Sequence, residues 1–168
     1  MARRRIVLRR PRHADERAFL AAARRSASLH RPWVHAPATA AKFRGWLARL
    51  KNPSHFGFLV TERGTGALVG VVNISEIVLG SLKSAYLGYY VFAGFERQGL
   101  MREALQAVVR HAFRSLKLHR LEANIQPGNA ASIALARSCG FSKEGFSPRY
   151  LKIGRRWRDH ERWAVVAP

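Results

Sequence analysis

The chain has 168 residues, 48% of them hydrophobic, and 30 Lys and Arg stand against 10 Asp and Glu for a formal net charge of +20. That length suits one domain with a sizeable core, that composition excludes a disordered chain, and no apolar run is long enough to span a bilayer as a helix. "MARRRIVLRRPRH" opens like the n-region of a signal peptide, but no long apolar h-region follows and no export signal is read. Cys139 is the single cysteine, so neither an intrachain disulfide nor a cysteine-based metal site is expected, and the expected compartment is the cytosol.

In chain order, "RRRIVLRR" reads as a first strand and "ADERAFLAAARRSASL" as a helix with Asp15 and Glu16 at its start. "HRPWVHAP" interrupts it, and "ATAAKFRGWLARLK" resumes helix. "FGFLVTERGTGALVGVVNIS" predicts a hairpin turning at "RGTG", and "SAYLGYYVF" a further strand. Leu100 to Leu116 carries Leu100, Ala104, Leu105, Val108, Ala112, Phe113 and Leu116 at the spacing of a core-packing helical stripe. "RLEANI" is a strand, "NAASIALARSCG" a helix closed by Gly140, and "FSPRYLKI" and "WRDHERWAVV" two last strands around "GRR". No repeat, linker or domain boundary interrupts this order, which predicts a single α/β domain with a mixed sheet.

The excess positive charge peaks twice: Arg3, Arg4, Arg5, Arg9, Arg10 and Arg12 form one acid-free run, and Arg149, Lys152, Arg155, Arg156 and Arg158 another. Such surfaces attract polyanions, although an arginine-biased composition alone would produce the first run equally well.

"FERQGLMR", residues 95–102, joins a strand to a helix. At such a junction backbone N–H groups are unpaired, and Gly99 lets a ligand approach the backbone without a Cβ in the way. The amides of Gln98, Gly99, Leu100, Met101 and Arg102, with the Arg97 and Arg102 side chains, suit a pyrophosphate. An ordinary glycine turn explains the same residues, and neither a Walker A pattern nor GxGxxG is present. A second junction, "ANIQPGNAASIALARSCGF", puts Asn129 at a helix N-cap and Ser132 in the first turn.

Taken together, "YLGYYVF", "ERQGLMREAL", "RLEANIQPGNAAS", "ARSCGF" and "KEGFSPRYLKIGRRWRDHERWAV" resemble, in that order, the GNAT superfamily of N-acetyltransferases, and within it the ribosomal-protein N-acetyltransferases of the RimJ and RimL type. The likeness runs from about Arg5 to Val166, as one N-acetyltransferase domain. It implies a mixed, twisted sheet of about seven strands, splayed between the fourth and fifth, with helices on both faces. It also implies acetyl-CoA in the splay, leaving as CoA. Backbone groups of Val91 and Phe92 would hold the pantetheine arm, Gln98 to Arg102 the pyrophosphate, and Asn129 the cofactor arm. Ser132 matches the position that protonates the departing thiolate. Two departures stand out. Met101 ends the phosphate loop where the superfamily favours Gly or Ala, and Ala136 stands where many members carry a tyrosine acid, so Ser132 or a water must serve.

The acceptor must be a neutral amine. A protein α-amine, with a pKa of about 7.7 to 8.0, is partly neutral at pH 7, whereas lysine, near 10.4, needs more help. Glu76 is the first candidate base, with a solvated strand-end charge as its competing reading; Glu122, Asp159, His160 and Tyr150 are further candidates, and Trp33 is placed at the acceptor cleft. The seven histidines show no close metal spacing, and Cys139 reads as a packing residue. The resemblance implies a protein amino terminus as acceptor, a ribosomal protein's among the candidates; the basic surface adds an expected ribosome or RNA contact, and no membrane partner is expected, with room for an oligomer. The alternatives are a small amine such as an aminoglycoside or polyamine, which calls for an acidic cleft, and a non-catalytic ribosome- or RNA-binding module.

Overall fold

The computed structural model describes residues 4–168. Arg3 of the first basic run lies outside them. Seven strands form one sheet: β1 (Ile6–Arg9), β2 (Phe56–Glu62), β3 (Leu68–Val78), β4 (Ser84–Val91), β5 (Arg120–Ile125), β6 (Ser142–Ile153) and β7 (Arg156–Val166), in the order β1-β2-β3-β4-β5-β7-β6. Every pairing is antiparallel except β4 with β5. The helices are α1 (Glu16–Arg25), α2 (Ala27–His30), α3 (Ala40–Arg49), α4 (Leu100–Arg114) and α5 (Ala130–Ser138).

Strand alternation sends side chains to two cores. Val72, Ile74, Leu87, Leu121 and Trp163 pack with the buried stripe of α4 and with Ala136 of α5. Leu59, Val71 and Phe92 pack with Phe19 of α1 and with Phe43 and Trp46 of α3. Helices therefore cover both faces, as the resemblance implies.

The parallel pair positions the site. Only Ser84, Ala85 and Tyr86 pair with Arg120, Leu121 and Glu122, although β4 continues to Val91 and β5 to Ile125. Beyond Tyr86 and Glu122 the strands separate. This is the expected splay between the fourth and fifth strands.

Two local differences from the sequence reading have clear causes. The first long helix breaks at Ser26, whose fully buried hydroxyl donates to Ala22 O and accepts from Ala93 N–H at 2.9 Å, anchoring the helix to the end of β4. The sixth strand starts at Ser142, earlier than "FSPRYLKI", because β7 offers a pairing partner through a register shift between Lys143 and Gly145. The expected closure of α5 is present as a Schellman turn: Gly140 has φ +89°, its N–H bonds Arg137 O, and Phe141 N–H bonds Ala136 O.

Candidate active site

Gly99 is the N-cap of α4, with φ +77°, and no side chain caps the helix. By contrast, α3 is capped by Thr39 and α5 by Asn129. The first amides of α4 are therefore left for a ligand, which is the arrangement that favours a phosphate. The loop before it is held by its own residues: Glu96 accepts from Gly94 N–H at 2.6 Å, Gln98 Nε2 donates to Gly94 O at 2.7 Å, and Arg97 has φ +59°. Arg5, on the way into β1, donates to Gln98 O at 3.0 Å and pairs with Glu103 at 2.6 Å. Arg97, Gln98, Gly99 and Arg102 are exposed, while Leu100 and Met101 are buried.

Burial explains Met101. Its side chain runs into the core beside Gly70, where an added Cβ would lie 2.7 Å from Met101 Sδ and 2.5 Å from Tyr90 O. A loop-ending Met is accommodated because β3 carries a glycine beneath it.

The backbone of β4 refines the expectation for Val91 and Phe92. Phe92 N–H donates to Val69 O, and Phe92 O accepts from Phe95 N–H, so both groups are spent within the chain. Alternation in the ladder then turns the backbone groups of Tyr89 and Val91 toward the splay. Val91 O accepts from His30 Nε2 at 2.7 Å, which fixes the proton on Nε2, since a carbonyl cannot donate. Burial keeps the His30 pKa below its ordinary value, the bond to Val91 opposing. The Val91 N–H and the Tyr89 backbone remain facing β5.

On the α4–α5 side of the splay, Ser132 Oγ donates to Tyr89 Oη at 2.9 Å, and Tyr89 Oη donates to Ser132 O at 3.1 Å. Asn129 Oδ1 accepts from Ser132 N–H at 3.2 Å, its capping role. Burial pushes the Tyr89 phenol up to about 12, so it stays protonated. Sequence reasoning missed Tyr89; its signal was only its place in "YLGYYVF". Cys139 is half-buried and its thiol is pushed up by that burial, which suits packing.

Glu76 sits at a bulge in β3 with φ +52°, its side chain 66% exposed, 3.4 Å from His55. It lies near the closed end of the splay. Tyr86 is pushed up to about 12, first by its hydrogen bond with Tyr150 and then by burial and the charges of Glu122 and Glu76. Those four residues therefore gather at that end. Glu122 is tied to Arg120 at 2.7 Å, Asp159 accepts from Arg149 N–H, and His160 is buried with Nδ1 bonded to Arg158 O. Trp33 covers the far end: Gln126 Nε2 donates to its carbonyl at 3.2 Å, and its ring lies over Gly128.

A family model described as Acetyltransferase (GNAT) domain matches residues 5–142. The chain belongs to the GNAT acetyltransferases. It is thus an acetyl-CoA-dependent N-acetyltransferase, and the uncapped α4 and open splay fit that donor. It is 39% identical over 131 residues to the ribosomal protein uS5-alanine N-acetyltransferase of Escherichia coli, an alignment covering 74% of this chain and 68% of that one. The alignments span about two thirds of the length of this relative and of a probable N-acetyltransferase, YjcK, of Bacillus subtilis, and less of several others. Its fold superposes on Mycobacterium smegmatis RimJ in complex with CoA-disulfide with a TM-score of 0.86, at 29% identity, covering 96% of this chain and 82% of that one. A spermidine N-acetyltransferase from Vibrio cholerae, in complex with CoA and spermine, shares the fold at a TM-score of 0.81 and 20% identity, covering 96% and 95% of the two chains.

Proposed function

We propose that this GNAT enzyme acetylates the α-amine of a protein amino terminus, and that the protein is a ribosomal one. The observation that carries the reading is the opening between β4 and β5: the anion-ready end of α4 lies on one side and a face lined by Tyr86, Gly88 and Asn124 on the other. Acetyl-CoA supplies the acetyl thioester. The Gln98 to Arg102 amides, with the Arg97 and Arg102 side chains, hold the pyrophosphate. Val91 N–H and the Tyr89 backbone line the pantetheine arm, Phe92 serves through its buried ring, and Asn129 holds Ser132 in place. Ser132 turns its hydroxyl from Tyr89 Oη to give its proton to the leaving sulfur and takes one back from solvent. Glu76 and Glu122 supply negative potential that draws in an ammonium, and Glu76 takes its proton through solvent.

The 39% identity to a ribosomal protein uS5-alanine N-acetyltransferase supports the acceptor class. Its test uses two peptides of one sequence. The peptide with a free amino terminus and an acetylated lysine is expected to be turned over, and the reverse peptide is not. Exclusive lysine modification would overturn the reading.

The basic clusters differ in a way that bears on the partner. In the first, Arg5 pairs with Glu103, Arg9 with Asp15, and Arg10 bonds Leu50 O and lies 4.9 Å over the Phe56 ring. In the second, Arg149, Lys152, Arg155 and Arg156 are exposed and form no ion pair among the described residues, Trp157 beside them is 60% exposed, and Arg158 is set apart by its buried Nε. Free cations beside an exposed ring suit RNA. Ribosome binding is therefore expected to weaken steeply between low and physiological salt, and replacing Arg155 and Arg156 by Gln is expected to flatten that slope.

A further inference from the structure

Two buried side-chain atoms among the described residues lack any hydrogen-bond partner: Asn124 Oδ1 and Arg158 Nε. Unpaired buried polar atoms are rare, and each calls for a cause. Both residues fall on one face of the sheet. Asn124 is two residues past Glu122, the last β5 residue paired with β4, so it is the first side chain on that face inside the splay. Opposite it on β4, two residues past Tyr86, stands Gly88, where an added Cβ would meet nothing within 4 Å. Asn124 pairs across to Arg162 of β7, and Arg158 lies four residues further along that strand on the same face, beside the buried His160. The guanidinium of Arg158 makes no hydrogen bond to the described chain.

One orphan is an acceptor at the reaction opening, and the other is a cationic donor roughly 13 Å up the neighbouring strand. An extended peptide covers that span in about three to four residues, at ~3.3–3.6 Å each, and the length of the arginine side chain shortens it. We propose that Asn124 and Arg158 read the start of an acceptor peptide: the α-amine enters over Gly88 and donates to Asn124 Oδ1, while a backbone carbonyl within the first three residues accepts from Arg158. A polyamine has no carbonyl, and its second ammonium would face the guanidinium. The pair thus selects peptides over the polycations used by a fold neighbour such as the spermidine enzyme. This inference rests on the amino-terminal reading above and adds the residues that enforce it.

The test measures acetylation of a synthetic hexapeptide beginning with alanine, with CoA affinity measured calorimetrically on every variant. Arg158→Met keeps the stem and removes the donors; the peptide KM is expected to rise about tenfold or more, with CoA affinity unchanged. Asn124→Leu is expected to lower kcat/KM for the peptide by a similar factor. Gly88→Val adds its side chain into open space, so the fold and CoA binding survive while peptide turnover falls. An unchanged peptide KM in Arg158→Met together with an unchanged kcat/KM in Asn124→Leu would overturn the pair and leave the acceptor reading standing. Turnover of spermidine with none of the peptide by the parent enzyme would instead overturn the acceptor reading itself.

Discussion

Gly99→Glu is expected to abolish measurable acetyl-CoA binding in a calorimetric titration while leaving the circular dichroism spectrum of the parent. Three effects act in one direction. Gly99 holds φ +77°, a conformation that costs other residues about 1–2 kcal/mol. A Cβ there would stand 3.2 Å from Arg5 Nη2, so the new side chain crowds the rim of the cradle. The added carboxylate would sit at the helix start, where it takes the favourable potential that the pyrophosphate needs. The fold survives because Gly99 is exposed and α4 is held by its buried stripe from Leu100 to Ala112. Gly99→Ala carries the conformational cost without the charge, so its affinity should fall between those of parent and Gly99→Glu. Parent-like affinity in Gly99→Glu would remove the pyrophosphate from this helix end.

How much of this was legible in the sequence depends on which physical signal each feature leaves. The end of β4 and the start of α4 were readable because a glycine between a β-rich run and a 3.6-residue stripe has few other uses. Gly140 was readable for the same kind of reason. The direction of a side chain across a splayed strand was not. "YLGYYVF" alternates, but nothing in it says that Tyr89 points to α5 and Tyr90 to His30 of α2, because that depends on which face each helix covers. Phe92 shows the related limit for backbone groups. Its amide is spent on Val69, a partner that only the pairing of β3 with β4 brings beside it. The two arginine runs look alike in sequence, and only the fold reveals that Arg5, Arg9 and Arg10 of the first are engaged by Glu103, Asp15 and the Phe56 ring. Ser26 and Met101 carried no visible partner in sequence; Ala93 and Gly70 became their neighbours through the sheet.

Ser132→Ala is expected to lower kcat about a hundredfold or more with CoA affinity unchanged, the size expected when a general acid is removed. Ser132 does not stand alone. Its hydroxyl is held by Tyr89 Oη at 2.9 Å, and the same phenol bonds Ser132 O, so the serine is fixed at both ends while Asn129 holds its amide. Tyr89→Phe removes that clamp without removing the serine. A smaller loss, up to about tenfold in kcat, is expected, in line with one hydrogen bond of roughly 1 kcal/mol. The double variant should then lose little more than Ser132→Ala, because the phenol acts through the serine. If Tyr89 were the acid itself, Tyr89→Phe would carry the larger loss and Ser132→Ala the smaller. The pH profile separates these roles further. Burial raises the phenol from 10.0 to about 12 in the folded chain, so the fold favours the protonated form. The stability this contributes is complete below about 10 and is lost as pH rises toward about 12. Across an assay from pH 6 to 9 the Tyr89 clamp therefore stays intact, and its removal should scale kcat by one factor at every pH. Glu76→Gln, at a 66% exposed side chain already beside His55, should change kcat far less than Ser132→Ala. A loss as large as that of the serine variant would make Glu76 the base in direct contact with the amine.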